Sequence, residues 1–159
     1  MARAHSLAIV LSTTLSAALA AQQQSPSIYP EFRADAIVAN GGTVQGGAGI
    51  VLPVGPYVRV GLDGAAGETW RHGSSSTAGR VDVIARYLLD PLRENDVALS
   101  MGGGLSVPID EDGFRTPYLT LVIDIEGRRH AGFTPALEVG LGGGARIGFV
   151  FRRSPPRWR

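Results

Sequence analysis

Few residues of this chain could do chemistry. It contains no cysteine and three histidines, so a thiol nucleophile, a disulfide and a thiolate metal site are all excluded. His72 and Ser74 stand two residues apart in a Gly/Ser-rich stretch, and a histidine beside a serine hydroxyl can activate it as a nucleophile. An acid must orient the imidazole, and neither Glu68 nor Asp82 has a clearly suitable spacing. The sequence therefore predicts no catalytic residue, and a hydrolase that uses His72 and Ser74 is the catalytic alternative.

Metal, cofactor and nucleic-acid sites are not indicated either. Asp110, Glu111 and Asp112 form an acidic turn, but a calcium site needs more oxygen ligands in a defined loop. His130 lies in a basic turn that we expect to be solvated. No helix follows the triple-glycine runs 102–104 and 142–144, so they cannot offer a helix N-terminus to a phosphate. We expect no metal and no cofactor, and the formal charge of +1 gives no sign of a nucleic-acid partner.

The first twenty residues have the layout of a cleaved export signal. Arg3 supplies the positive region, residues 7–19 are mostly apolar, and Ala18-Leu19-Ala20 matches the small-x-small cleavage pattern. We expect cleavage after Ala20, which leaves 21–32 as a short polar segment before the folded domain.

Residues 33–152 show alternation of period two, interrupted by Gly, Pro, Asn and Asp, which is typical of strands and tight turns. The clearest strand is Tyr118–Glu126. The pattern predicts about eight antiparallel strands joined by hairpins, with both termini at one end of an all-β, up-and-down barrel. The glycines at 142–144 leave open whether 136–152 is one strand or two. Residues 153–159 form a basic, proline-containing tail.

Each predicted strand has one apolar face and one polar face. The charged positions of the polar faces are Asp35, Arg59, Asp63, Arg80, Asp82, Arg86, Asp124, Glu138 and Arg146. The apolar faces include Val58, Val60, Leu62, Val81, Val83, Leu119, Leu121, Ile123, Ile125, Ile147, Phe149 and Phe151.

The direction of these faces decides the class of function. In an outer-membrane barrel the apolar face meets lipid and the narrow interior holds polar side chains, whereas a soluble barrel has the reverse arrangement. The polar faces are rich in glycine and carry charges of both signs, which suits a crowded interior of Arg–carboxylate pairs. This favours the membrane barrel. The alternative is a soluble periplasmic barrel or sandwich that binds a small apolar ligand, with Leu119, Leu121 and Ile123 inward.

The pattern resembles the small eight-stranded outer-membrane proteins, such as the OmpX-like barrels and the barrel domain of OmpA-like proteins. The resemblance implies residence in the outer membrane of a Gram-negative-type bacterium, contact with its lipid, and recognition by the barrel-assembly machinery through the run 146–151. The sequence departs from that pattern by continuing with RRSPPRWR. The His-x-Ser pair is similar to that of outer-membrane lipid A deacylases. We expect a structural or surface-interaction role, with an unknown partner contacted through loops 67–77 and 110–113.

Overall fold

The computed structural model describes residues 27–91 and 96–153, and all regular structure within them is β. The strands are β1 (Tyr29–Val38), β2 (Gly42–Val54), β3 (Val58–Arg71), β4 (Ser74–Leu88), β5 (Ala98–Asp110), β6 (Gly113–Phe114), β7 (Tyr118–Glu126), β8 (Phe133–Leu141) and β9 (Ala145–Arg153). Across these two described ranges, no helix has the length and apolar character needed to span a membrane. The predicted signal peptide and residues 154–159 of the predicted tail lie outside the described residues.

The sheet closes on itself as a barrel. Its order is β4-β3-β2-β1-β9-β8-β7-β5, and a further pairing of β4 with β5 joins the two edges. Every pairing is antiparallel, including that of β1 with β9, which brings the beginning and the end of the domain together. The two-residue β6 only folds back on the last residues of β5. The predicted all-β, eight-stranded, up-and-down barrel is therefore confirmed.

The two ends of the barrel differ. One end, which we call the terminal end, holds the start of β1, the end of β9 and the turns at 55–57 and 127–132. The other end, which we call the hairpin end, holds the turns at 39–41, 72–73 and 142–144. Glycines at 142, 143 and 144 all have positive φ, which explains why the chain reverses there and makes two strands, β8 and β9, rather than one.

The loop predicted at 67–77 is wrong. Residues up to Arg71 belong to β3 and residues from Ser74 belong to β4, so the connection is a two-residue turn. His72 and Gly73 both have positive φ, at 50° and 83°, as primed hairpin turns require. Glycine and serine suggested a loop, but the register continues without a break from Gly67↔Ala78 to Arg71↔Ser74.

The strands extend beyond the predicted limits of 33 and 152, because β1 begins at Tyr29 and β9 ends at Arg153. Pro30 lies within β1, where the missing N–H reduces the signal for a strand. The added length places Glu31 inside the barrel with 0% exposure.

Candidate functional site: the charged interior and the apolar outer surface

The barrel has an inverted core. Among the described residues, the buried set comprises seven apolar side chains and seventeen polar or charged ones. Alternation along each strand sends the face that carries the polar side chains inward, as Glu126, Asp124 and Thr120 of β7 illustrate. The interior is therefore a polar compartment enclosed by the sheet.

All nine charged residues predicted for the interior point inward in the structure. Eight are buried, and the ninth, Arg59, is half-buried near the terminal end. The prediction missed four further members, namely Glu31, Arg33, Glu126 and Arg152. The described interior then contains six arginines (33, 59, 80, 86, 146 and 152) and seven carboxylates (31, 35, 63, 82, 124, 126 and 138). The alternation of Glu31, Arg33 and Asp35 with Phe32 and Ala34 is the signal that could have found the first two.

Glu138 of β8 is the hub of this interior. Its carboxylate accepts hydrogen bonds from Arg33 at 2.5 Å, from Arg86 at 2.6 Å and from Arg146 at 2.9 Å. These arginines lie on β1, β4 and β9, so one carboxylate ties together strands from different sides of the barrel. Glu138 is fully buried, and such a charge is stable only when it is paired in this way.

A second cluster surrounds Arg152 near the terminal end. Its guanidinium donates to Glu31, to Asp124 at 2.9 Å and to Glu126 at 3.0 Å. Arg59 reaches Glu126 from β3 at 2.7 Å. Four strands are thus joined at this level by the branched geometry of the guanidinium group, which can bind several carboxylates at once.

A third cluster lies nearer the hairpin end. Arg80 donates to Asp35 at 2.5 Å, to Asp82 at 2.8 Å and to Gln45 at 3.0 Å. Asp82 also accepts from Arg146 at 2.9 Å and from the Ser106 hydroxyl. The first and third clusters share Arg146, and Arg86 connects the first to the second through Asp124 at 3.1 Å.

Several directly opposed residues on neighbouring strands carry the same charge. Asp63 lies opposite Asp82, and Asp124 lies opposite Glu138. Like charges in such positions destabilise a pair of strands when nothing else intervenes. Asp82 is neutralised by Arg80 of its own strand and by Arg146 of β9, whereas Asp124 and Glu138 are paired with arginines of β1, β4 and β9. The contacts of Asp124 and Glu138 with Arg86 of β4 therefore exist only in the closed barrel.

Inward-facing glycines make room for these side chains. Gly148 lies opposite Asp35, and a Cβ atom there would collide with the Asp35 carboxylate. Gly49 lies opposite Asp63, and a Cβ atom there would collide with the Asp63 carboxylate. The high glycine content of the chain thus has a specific use at these two places, because charged side chains fill the space.

The outer surface is apolar. All twelve residues predicted to face lipid point away from the interior, with Leu119 76% exposed and Leu121 65% exposed. Val58, Val60 and Val81 are half-buried by their neighbours but lie on the same face. This is the opposite of the soluble alternative, which needs Leu119, Leu121 and Ile123 inside. That alternative is wrong about which face of the strands points inward.

The fold has a known counterpart. No family model matches the chain, and no curated protein matches it. Among solved structures it is similar to the N-terminal β-barrel domain of Pseudomonas aeruginosa OprF, with a TM-score of 0.56 and 13% sequence identity over 79% of this chain and 96% of that domain. This chain shares the OprF barrel fold. The predicted resemblance to small eight-stranded outer-membrane barrels is confirmed at the level of fold.

On this OprF-like barrel, the residues considered for catalysis do not assemble. His72 and Ser74 lie at the exposed tip of the β3–β4 hairpin, and within the described chain no hydrogen bond joins them. Asp82 is buried in the interior and engaged by Arg80 and Arg146, while Glu68 is exposed on β3 opposite Thr77. The geometry therefore supplies no acid to orient His72.

The acidic turn at the hairpin end is held by an arginine. Arg115 donates to Asp110 at 2.5 Å and to Asp112 at 2.6 Å, and the Asp112 amide donates to Asp110 at 3.1 Å. In the part of the chain that the structure describes, no three metal-ligating side chains gather at one place. The arrangement at 110–115 is that of a braced turn.

Proposed function

We propose that this chain is a small outer-membrane barrel with a structural or surface-interaction role rather than an enzyme. The inverted core is the observation that carries the proposal: Glu138 is fully buried while Leu121 is 65% exposed. Water would penalise such a surface, whereas the hydrocarbon of a bilayer would accept it. The OprF barrel likeness supports the same placement through the fold.

The proposed interior is closed to large solutes. An eight-stranded barrel is only wide enough for side chains to fill it, and here arginines cross it at three levels. Arg33 of β1 reaches Glu138 of β8, and Arg80 of β4 reaches Asp35 of β1. We expect no passage of sugars through the protein in a vesicle-swelling assay.

The proposed membrane-embedded band ends before the tip of the β3–β4 hairpin. Its outer face changes there from Leu62 and Val83 to Glu68 and Thr77, which are opposite each other in the register. The hairpin tip and the braced turn at 110–115 would then lie outside the bilayer, where a surface partner could contact them. The apolar row of Ile147, Phe149 and Phe151 on β9 is the proposed recognition element for the barrel-assembly machinery.

Gel mobility of the refolded protein tests the membrane proposal. A membrane barrel that stays folded in cold detergent should migrate differently before and after boiling, and it should partition with vesicles. Leu121→Arg should impair insertion, because arginine at mid-bilayer costs about 2–4 kcal/mol. Thr77→Arg, on the same outer face but above the apolar band, is the matched control and should insert normally. A protein that is soluble without detergent and shows no shift would refute the proposal.

A further inference from the structure

A row of apolar rings crosses three strands on the outer surface near the terminal end. Phe151 of β9 lies directly opposite Phe32 of β1 on one side and Pro135 of β8 on the other. Phe133 lies one row nearer the end. These four side chains and His130 line a cavity of about 560 Å³ that opens on the outer surface. Its walls are almost entirely apolar, and its volume is within the range of small-molecule sites.

The rim of this cavity is basic. Arg153 is exposed and lies opposite Phe133 in the β8–β9 register. His130 exchanges two main-chain hydrogen bonds with Phe133, at 2.8 Å and 2.9 Å, which fix the turn beside it. Arg153 stands two residues beyond Phe151 along β9, a distance of about 7 Å for extended chain. A positively charged residue thus lies at the edge of the apolar lining, on the same row as Phe133 and one row from Phe151.

Among the residues that the structure describes, the carboxylates on the neighbouring strands and turns are engaged elsewhere. Glu31 of β1 and Glu126 of β7 face the interior, where Arg152 binds both. The exposed Asp96 pairs with Arg128 at 2.8 Å. On β8, β9 and β1, the outward positions at the terminal end are Pro30, Phe32, Phe133, Pro135, Phe151 and Arg153. The outer rim at this place therefore favours an anion.

We propose that this cavity binds one phospholipid with an anionic headgroup. The phosphate would contact Arg153 and His130, and an acyl chain would lie along Phe32, Phe133, Pro135 and Phe151. An exposed arginine beside an almost entirely apolar lining matches a molecule that has both an anionic headgroup and an acyl chain, whereas a free inorganic anion would leave the apolar lining in contact with water. The inference rests on the proposed function, because acyl chains reach this surface only in a bilayer.

Tryptophan quenching by brominated lipids tests the site. Trp70 and Trp158 are replaced by phenylalanine, and Phe133→Trp places a single reporter indole in the cavity. The protein is refolded into vesicles of phosphatidylcholine and phosphatidylglycerol in which one species or the other is brominated. We expect brominated phosphatidylglycerol to quench this cavity reporter as strongly as a local enrichment of that lipid by about fivefold would. This is the enrichment expected when one arginine attracts an anionic lipid. Arg153→Gln should remove the enrichment, and about 1 M salt should weaken it.

A reporter elsewhere at the same end is the control. Tyr87 stacks on Tyr57 with ring centroids 5.9 Å apart, on a different part of the outer surface. Tyr87→Trp should show much less preference for phosphatidylglycerol than the cavity reporter does. Equal quenching of the cavity reporter by both brominated lipids, in a protein that keeps its heat-dependent gel shift, would overturn the lipid site and leave the membrane barrel standing. Failure of the unmodified protein to enter vesicles would overturn both.

Discussion

Replacing Glu138 by glutamine keeps the size of the side chain and removes its charge. The carboxylate accepts three hydrogen bonds from Arg33, Arg86 and Arg146, at 2.5, 2.6 and 2.9 Å, and it is fully buried. The neutral amide offers a single oxygen and turns an N–H group towards guanidinium groups that have nothing to accept it. Three buried cations would lose their shared counter-ion.

The magnitude follows from the cost of breaking buried ion pairs. Removing one partner of a buried pair costs about 3–5 kcal/mol, because the remaining charge stays uncompensated. Other carboxylates still neutralise these arginines in part, since Arg33 also binds Asp35 and Arg146 also binds Asp82. We therefore expect Glu138→Gln to lower the free energy of unfolding by about 3–5 kcal/mol. With a urea dependence of about 2 kcal/mol per molar, the midpoint should fall by about 2 M.

Urea titration of the refolded barrel, followed by the heat-dependent gel shift, measures this change. Glu111→Gln is the matched control, because Glu111 is exposed in the turn at 110–115 and the chain loses the same charge. If Glu138→Gln does not fold, the double variant with Arg86→Leu should recover part of the folded fraction, since one of the three arginines that bound Glu138 is removed and Asp124, the other partner of Arg86, keeps Arg152. An unchanged midpoint for Glu138→Gln would refute the reasoning that the interior network holds the barrel together.

Two further perturbations test the remaining features. Gly148→Ala should destabilise the barrel by about 1–3 kcal/mol in the same urea titration, because its Cβ would meet the Asp35 carboxylate. The control is Gly46→Ala, whose Cβ would face open space and which should change the stability by less than about 0.5 kcal/mol. Equal effects of the two substitutions would contradict the proposed role of the glycines. Ser74→Ala and His72→Asn should fold as the wild type does, and fatty-acid release from lipid vesicles should stay at the wild-type level. A loss of release in either variant would support the alternative that the protein is a hydrolase.

The alternation in the sequence was sufficient to predict which side chains face inward. In β7, for example, Asp124 and Leu121 have opposite directions for a local reason, namely the two-residue period of a strand. The same local reasoning failed at 67–77, where glycine and serine concealed a hairpin whose register depends on its partner strand. It also stopped short of Glu31, because Pro30 weakens the strand signal there.

Contacts across the barrel could not be predicted from the sequence. Arg33 and Glu138 are far apart in the chain, and their 2.5 Å contact depends on the pairing of β1 with β9 and on the width of the closed sheet. The cavity beside Phe151 depends on the same closure, because its walls come from both ends of the domain. Such features require the positions of all eight long strands relative to one another.

The like-charged pairs have a consequence for the order of assembly. A β7–β8 hairpin formed alone would place Asp124 opposite Glu138 with no arginine of its own inside, since the partners arrive from β1, β4 and β9. This hairpin is therefore penalised until β1, β4 and β9 dock, and a register slipped by one residue would turn these charges towards the apolar outer surface. We therefore expect the network to favour the complete, correctly paired barrel over this partial sheet, and closure of the barrel to be cooperative.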